Sequence, residues 1–253
     1  MVRLSSNISS CSPGLLTERT IRSVFNKKDA HFLVGMRARM RLSFLPEARD
    51  VEIVSFGNEK VIKVNLRKGK AGPFTGCNWK VPFPGPVEHA SLSYEAFFPE
   101  LFDFVKGGKL PGIAGGRGNT GGMVPTGFDG WSVRFMFKEQ GTICAYLYTV
   151  TMKEIYGDKK FLETIGEPVY LKTGDWNKIT LTITMNSPEK EDGIVTARLN
   201  EDGLLKLNSE CFRRTDKLKI DHILFSCFMG GSDRSYSPVK DQFILFKNFQ
   251  VDY

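Results

Sequence analysis

The sequence predicts an all-β protein, a β-jelly roll sandwich of two antiparallel sheets with a cleft on the concave face. Three observations favour this fold class. Short segments of alternating apolar and polar residues recur along the 253 residues, helical periodicity is nearly absent, and turn residues separate the alternating segments. Alternation with a period of two places every second side chain on one face of a strand, which is the pattern of a half-buried sheet.

The alternating segments predict individual strands. RARMRLSF at 37–44, VIKVNLR at 61–67 and KITLTITM at 178–185 each place their apolar residues on one face. GIVTARLNEDGLLKLN at 193–208 predicts a hairpin, because Asp202 is followed by a glycine at the expected turn.

The C-terminal segment DQFILFKNFQV predicts one long strand. A regular strand alternates its side chains between two faces. We therefore expect Phe243, Leu245 and Phe249 to share a face.

Two segments look partly helical. TERTIRSVF at 17–25 predicts a short helix, whereas YEAFFPELFDFVKG at 94–107 predicts part strand and part turn. Residues 1–25 are interpreted as a loosely attached N-terminal lead-in. Residues 26–253 are interpreted as a single jelly-roll domain, since no repeat or linker divides them.

Composition and charge limit the classes of function that the sequence supports. The formal net charge of +7 favours acidic partners, but no nucleic-acid-binding motif accompanies the basic residues. No apolar run approaches a membrane span, and no signal peptide is recognised at the N-terminus. The five cysteines show no C-x-x-C pair, which predicts buried thiols rather than a disulfide framework or a metal site.

Residues 107–130 contain ten glycines and include GRGNTG, a literal match to the G-x-G-x-x-G string of dinucleotide-binding proteins. That string needs a preceding strand and a following helix whose N-terminus receives the phosphates. The preceding KLPGIAG does not look like a hydrophobic strand, and no amphipathic helix follows. We therefore interpret the segment as a loop, either an irregular connection or a lid over a cleft.

The next segment, GWSVRFMFKEQGTICAYLYTV, predicts two strands joined by a tight turn. A two-residue loop would place Arg134 beside core residues, where an unpaired charge is expensive. A three-residue loop with Gly141 in the left-handed conformation avoids this cost. Arg134 then lies opposite Tyr146, and Ser132 lies opposite Tyr148.

This register predicts a polar patch beside the glycine-rich segment. Any one of its residues has an ordinary explanation as a solvated side chain on a strand. Together they predict a site for an anionic ligand, formed by Lys109, Arg117, Asn119, Ser132, Arg134, Tyr146 and Tyr148.

These residues carry a family resemblance. KLPG, a glycine-rich stretch, S-x-R within GWSVRFMF and Y-x-Y together resemble polysaccharide lyase family 14, the alginate and polyglucuronate lyases. The likeness extends from about Trp79 to the C-terminal strand and is strongest to the catalytic domain of chlorovirus cell-wall-degrading lyases. It implies a jelly roll with a cleft. The residues that it places at catalytic positions are Lys109, Ser132, Arg134, Tyr146 and Tyr148, with Arg117 and Asn119 as substrate-binding residues.

The implied activity is metal-independent β-elimination of 1,4-linked polyuronates, with no organic cofactor. Arg134 suits the uronate carboxylate, whose negative charge grows during the reaction. Lys109 either shares this task or acts as a base with a lowered pKa. Tyr146 or Tyr148 is the other candidate for proton transfer, because nearby cations should lower the phenol pKa, and activity should then rise into the alkaline range.

The three histidines offer an alternative base. His89, Ser91 and Ser93 are at alternate positions and would share one face of a strand, so His89 could border the cleft. A structural role is the other interpretation of His31, His89 and His222.

The resemblance implies an acidic polysaccharide as the partner, with no nucleic acid or membrane, and a monomer. It also implies action outside the producing cell on algal or host cell-wall polysaccharide, free or as part of a virion. A non-catalytic carbohydrate-binding module for acidic polysaccharides is the alternative, since such sandwiches also bind sugars in grooves. A glycoside hydrolase would need two carboxylates beside the cleaved bond, and the predicted site is cationic.

Overall fold

The computed structural model describes residues 3–26, 31–32, 50–73, 75–201, 203–231 and 233–253. The chain forms two antiparallel sheets that pack face to face, as predicted. One sheet has 11 strands in the described ranges and is called the outer sheet. The other has 7 strands and is called the cleft sheet.

The outer sheet consists of β1 (Arg3–Ser5), β2 (Gly14–Leu15), β4 (Val51–Phe56), β5 (Glu59–Leu66), β7 (His89–Phe97), β12 (Glu163–Thr164), β13 (Glu167–Pro168), β14 (Trp176–Thr184), β15 (Gly193–Leu199), β16 (Gly203–Glu210) and β18 (Gln242–Asp252). The cleft sheet consists of β3 (His31–Phe32), β6 (Cys77–Val87), β8 (Gly108–Gly116), β9 (Gly130–Phe137), β10 (Ile143–Tyr148), β11 (Asp158–Phe161) and β17 (Ile220–Met229), in the spatial order β11-β10-β9-β8-β17-β6-β3. The α-helix α1 spans Glu18–Val24, and short 3-10 turns lie at Ile8–Ser10, Glu139–Gly141 and Arg234–Tyr236.

The predicted alternation is confirmed in the outer sheet. The predicted apolar positions of β5 and β14 are buried, as are Val195, Ala197 and Leu199 of β15, which pairs with β16 in the predicted hairpin. Leu205 and Leu207 of β16 are partly buried against the core. The sandwich interior is therefore built from every second residue of these strands, as the period of two requires. The predicted strand at 37–44 and the turn residue Asp202 lie outside the described residues.

The prediction for the C-terminal strand is wrong in one respect. Its pairing with β7 shifts between Lys247 and Gln250, where Asn248 adopts a positive φ of 54°. An extra residue at a bulge changes which face the following side chains occupy. Phe249 therefore points into the core, whereas Phe243 and Leu245 do not share its face, and the core positions before the bulge are Ile244 and Phe246.

The N-terminal segment packs more closely than a loose lead-in would. The predicted helix is confirmed as α1, with the Thr17 hydroxyl accepting a hydrogen bond from the Thr20 backbone N–H at 3.2 Å. β1 pairs with β18, and Leu4, Ile21 and Phe25 are buried in the main core. Burial of these apolar side chains ties the segment to the sandwich. The boundary at residue 26 stays a prediction.

Three further predictions concern the segment 94–107, the cysteines and membrane-spanning segments. The segment 94–107 contains the end of β7 followed by turns, as predicted. All five cysteines are buried thiols. Within the described ranges, none of the helices is long and apolar enough to cross a membrane.

The segment 108–116 corrects the interpretation of 107–130 as a continuous loop. It forms β8, a strand between β9 and β17 whose central residues are buried. Its glycines allow close approach of the neighbouring strands. A Cβ atom at Gly112 would lie 2.1 Å from the Val133 carbonyl oxygen, and one at Gly115 would lie 2.1 Å from the Lys219 carbonyl oxygen. The strand lacks a hydrophobic pattern because adjacent backbone fills the space of its side chains.

Gly112→Ala is therefore expected to destabilise the protein. The obstructing atoms belong to backbone, which cannot rotate away as a side chain can, so we expect a loss of about 3 kcal/mol of unfolding free energy. Urea or thermal denaturation measures this change. Gly85→Ala is the matched control, because a Cβ atom there meets nothing within 4 Å. Equal midpoints for the two variants would contradict the packing described for β8.

Candidate active site

The hairpin of β9 and β10 has the predicted register. Arg134 pairs with Tyr146, and Ser132 pairs with Tyr148. A three-residue turn joins the strands, and its last residue, Gly141, has a positive φ of 85°. Directly opposed residues lie on the same face of a sheet. The guanidinium and the two phenols therefore emerge together on the face of the cleft sheet that points away from the sandwich interior.

A bulge in β8 brings Lys109 to the same face. The pairing of β8 with β9 shifts between Leu110 and Gly112, so Pro111 is the extra residue. Proline has no N–H to donate to a ladder and is tolerated at such a position. Leu110 points into the core, while Lys109 pairs with Met136 on the face of Arg134. The K-L-P-G motif is thus a strand with an irregularity that redirects its lysine.

The side chains of these strands meet in one cluster. The Lys109 Nζ lies 3.5 Å from the centre of the Tyr146 ring, and the Arg134 Cζ lies 5.7 Å from it. The hydroxyls of Tyr146 and Tyr148 are 3.4 Å apart. Both cations therefore lie at cation–π distance from one phenol. This geometry brings together four of the predicted catalytic residues.

The cluster is buried rather than solvent-exposed. Lys109 is 8% exposed, Arg134 3% and Tyr148 0%. Residues 117–129, the part of the glycine-rich segment that is a loop, lie over it, and the Gly122 N–H donates to the Tyr148 hydroxyl at 3.2 Å. The turn after β10 also contributes, since a Cβ atom at Gly157 would lie 2.6 Å from the Tyr148 ring.

Arg134 is buried without a carboxylate partner among the described residues. Its Nη1 donates to the Ser226 hydroxyl at 3.2 Å, and that hydroxyl donates to the Asn78 Oδ1 at 2.9 Å. The Arg134 Nε has no hydrogen-bond partner in the described part of the chain. Burial lowers the pKa of Arg134 to about 10. An incompletely satisfied buried guanidinium is costly for folding alone and well suited to receive a carboxylate.

Lys109 likewise contacts no carboxylate among the described residues. Its Nζ lies 2.7 Å from the Met136 Sδ. Burial, followed by the charge of Arg134, lowers the pKa of Lys109 well below its usual range. A lowered pKa increases the neutral amine fraction, which is the form that accepts a proton.

The expectation of a lowered tyrosine pKa is wrong for Tyr146. Burial raises the pKa of its phenol, the hydrogen bond with Tyr148 raises it further, and the opposing effect of Arg134 is smaller. Desolvation disfavours the phenolate more than one nearby cation favours it. Tyr146 therefore remains protonated at neutral pH and can donate a proton.

Comparison with known proteins adds independent information about these strands. A family model described as polysaccharide lyase 14 matches residues 57–249, a range that includes β5 to β17 and most of β18. The chain belongs to polysaccharide lyase family 14. No curated protein matches it.

Several solved structures are similar to this lyase. Alginate lyase Aly36B is 21% identical with a TM-score of 0.81, covering 99% of this chain and 96% of its own. The PL-14 alginate lyase from Aplysia kurodai is 20% identical with a TM-score of 0.78, covering 99% and 98%. Alginate lyase vAL-1 from Chlorella virus is 25% identical with a TM-score of 0.68, covering 80% and 88%. The predicted jelly-roll fold and family are confirmed.

Two predicted site residues of the lyase hold the glycine-rich loop. The Ser132 hydroxyl donates to the Asn119 carbonyl oxygen at 2.6 Å, and the Asn119 Nδ2 donates to the Asp129 carboxylate at 2.9 Å. The same carboxylate accepts from the backbone and hydroxyl of Thr126 at 2.9 and 2.7 Å. Because both Ser132 and Asn119 are buried, they fix the ends of the loop in this structure. Arg117 is exposed at the start of the loop.

Further residues of the lyase lie on the cleft face. Asn78, Ser226 and Met136 were not predicted as site residues, whereas His222 is one of the histidines considered as an alternative base. Ser226 contacts Arg134, Met136 contacts Lys109, Asn78 contacts Ser226, and His222 pairs with Ala114 on the same face. In the sequence, the only indication of these residues is their alternating position within a strand, and the sequence does not show which strands pair with it. His89, by contrast, lies on the outer sheet, where its Nδ1 is 2.9 Å from the Thr184 hydroxyl, so it does not border the cleft.

Proposed function

We propose that the protein cleaves 1,4-linked polyuronates, polyglucuronate or alginate, by β-elimination without a metal ion, as a carbon–oxygen lyase acting on polysaccharides. The observation that carries this proposal is that Lys109 and Arg134 are both buried, with no carboxylate partner for either in the described ranges. A uronate supplies the negative charge that Arg134 lacks. The similar structures, which are described as alginate lyases, support the same substrate class.

Arg134 binds the carboxylate of the sugar at the cleaved bond. Its unpaired Nε and remaining donors match a carboxylate in bidentate geometry. Negative charge moves onto this carboxylate when the neighbouring C5–H bond breaks. A guanidinium already in place stabilises that charge without reorganisation, which is often the largest catalytic contribution.

Lys109 and Tyr146 carry out the two proton transfers. The neutral Lys109 amine takes the C5 proton, since its pKa is lowered, and becomes ammonium. The electron pair of the C5–H bond forms the C4–C5 double bond as the C4–O4 bond breaks. The Tyr146 hydroxyl donates its proton to the departing O4, because its raised pKa keeps it protonated. Tyr148, which contacts the Tyr146 hydroxyl, orients this proton donor.

The experiment that tests the function is direct. The purified protein is incubated separately with polyglucuronate, polymannuronate and polyguluronate, and absorbance of unsaturated uronic ends is followed in the ultraviolet. A lyase produces this absorbance from at least one polymer, whereas a hydrolase or a binding module produces none. Chain shortening without absorbance, or binding without either, would overturn the proposal.

The pH dependence distinguishes an amine base from a phenolate base. Lys109 is active when neutral, so kcat/KM should rise with pH through its lowered pKa and reach a plateau below pH 10, the usual phenol value. Initial rates at substrate concentrations well below KM, between pH 5 and 11, measure this profile. A rate that keeps rising through pH 10 would favour a tyrosine base instead. Tyr148→Phe should retain the position of the ascending limb if the base is Lys109.

A further inference from the structure

Two segments beside the catalytic cluster expose large apolar side chains. We call these side chains the apolar rim, and they are Met123, Val124, Phe128, Ile155 and Tyr156, all exposed. The residues come from two separate segments, the loop 117–129 and the turn 153–158. Exposed large apolar groups beside a binding site are candidates for contact with the ligand.

Tyr156 is the residue of the rim that lies next to the proposed active site. A Cβ atom at Gly122 would lie 3.5 Å from the Tyr156 ring, so loop and turn are in contact. The backbone of Gly122 also donates to the Tyr148 hydroxyl. Tyr156 is thus separated from Tyr148 by a single loop residue. A polysaccharide bound at Arg134 and continuing past Tyr148 would reach Tyr156 next.

The turn that presents Tyr156 is held by its own hydrogen bonds. The Asp158 Oδ1 accepts from the backbone N–H groups of Lys153 and Glu154, both at 2.9 Å. The Gly157 N–H donates to the Glu154 carbonyl oxygen at 3.1 Å, and Lys159 pairs with the Glu154 carboxylate at 2.7 Å. A turn with this many internal bonds holds Tyr156 in place before any ligand arrives, which reduces the entropy cost of binding.

We propose that Tyr156 is a sugar-binding residue of the lyase, packing its ring against the uronate unit next to the one held by Arg134. The inference rests on the proposed function for the class of ligand. A pyranose ring presents C–H groups on its faces, and a tyrosine ring offers a large, rigid apolar surface with few rotatable bonds. The exposed Lys153 of the same turn supplies positive charge toward a polyanion, whereas Lys159 is paired with Glu154.

Direct binding tests the proposal separately from catalysis. Lys109→Ala is used as the background to prevent turnover, and calorimetry measures the Kd for alginate tetrasaccharide and for tetraglucuronate. Adding Tyr156→Ala should raise the Kd about tenfold, equivalent to about 1.4 kcal/mol. Tyr156→Phe should stay within about twofold of the background, since the phenyl ring keeps the packing surface. Tyr170→Ala is the control with no expected change, because Tyr170 is also exposed but pairs with Thr142 before the start of β10, whereas Tyr156 follows its end.

Steady-state kinetics in the otherwise unchanged protein provide the second readout. Tyr156→Ala should raise KM about tenfold and leave kcat within about twofold, because uniform binding is lost. An unchanged Kd, or a fall in kcat at constant KM, would overturn the inference, since the latter places the effect on Tyr148 through Gly122. If the unsubstituted protein cleaves no polyuronate but Tyr156→Ala still weakens binding, the lyase proposal fails and the sugar-binding role of Tyr156 stands.

Discussion

Lys109→Met should nearly abolish lyase activity and stabilise the protein at the same time. Loss of the base is expected to reduce kcat by about 10²–10⁴-fold, the range typical of general acid–base catalysis. Methionine keeps the length and apolar character of the buried stem and removes an ammonium that burial disfavours. We expect a gain of about 1–2 kcal/mol in unfolding free energy.

The stability gain should depend on pH in a defined direction. A lysine whose folded pKa is lowered binds fewer protons in the folded than in the unfolded chain between the two pKa values, so stability of the parent protein rises with pH there. The advantage of Lys109→Met is therefore largest at and below the lowered pKa and shrinks toward about pH 10.4, the usual lysine value. Thermal denaturation at pH 7 and at pH 10 measures the difference.

The control for this prediction is Lys172→Met, which removes an exposed lysine from the connection between β13 and β14. Neither activity nor unfolding midpoint should change beyond the small effects of surface substitutions. A Lys109→Met protein with more than a tenth of the parent kcat would remove Lys109 from the proton transfer. An unfolding midpoint lower than that of the parent would contradict the cost assigned to the buried ammonium.

Arg134→Lys is expected to lower kcat by about 10²–10³-fold although the charge is kept. Lysine is a point charge without the planar pair of donors that matches a carboxylate, and its shorter reach from β9 leaves the carboxylate less well held. The loss should fall mainly on kcat, because the carboxylate gains charge on the way to the transition state. Separate determination of kcat and KM on polyglucuronate and alginate checks this division.

Arg198→Lys on the outer sheet is the matched control, since Arg198 is exposed on β15. Its kinetics should be unchanged. Circular dichroism of both variants measures the fraction of folded protein. If that fraction falls as much as kcat for Arg134→Lys, the substitution disrupts the core rather than the site. An Arg134→Lys protein with kcat within about threefold of the parent would exclude a bidentate clamp as a major contribution.

Much of the site could be predicted from local arguments. The placement of Arg134 opposite Tyr146 follows from the length of one turn and the cost of burying a charge, both of which involve residues close in the sequence. The strands β5, β14, β15 and β16 were predicted for a similar reason, since their alternation records one buried face.

Bulges limited the prediction elsewhere. Pro111 in β8 and Asn248 in β18 each insert one residue, and each changes which side chains face the core. Assigning alternate residues to opposite faces assumes a regular strand. The assignment was therefore wrong for Phe243, and it did not explain how Lys109 comes to lie on the face of the site. Such an irregularity depends on the strand that pairs with it, and that partner is distant in the sequence.

The sequence by itself determined the all-β class, the sandwich and the register of the hairpin that carries Arg134, because these depend on periodicity and turn length. Only the tertiary structure decided that 108–116 is a strand, that Ser132 and Asn119 bind the loop, and that the cluster is covered. These outcomes arise from contacts between distant segments. Burial by those segments, more than the neighbouring charges, also sets the direction of the Tyr146 pKa.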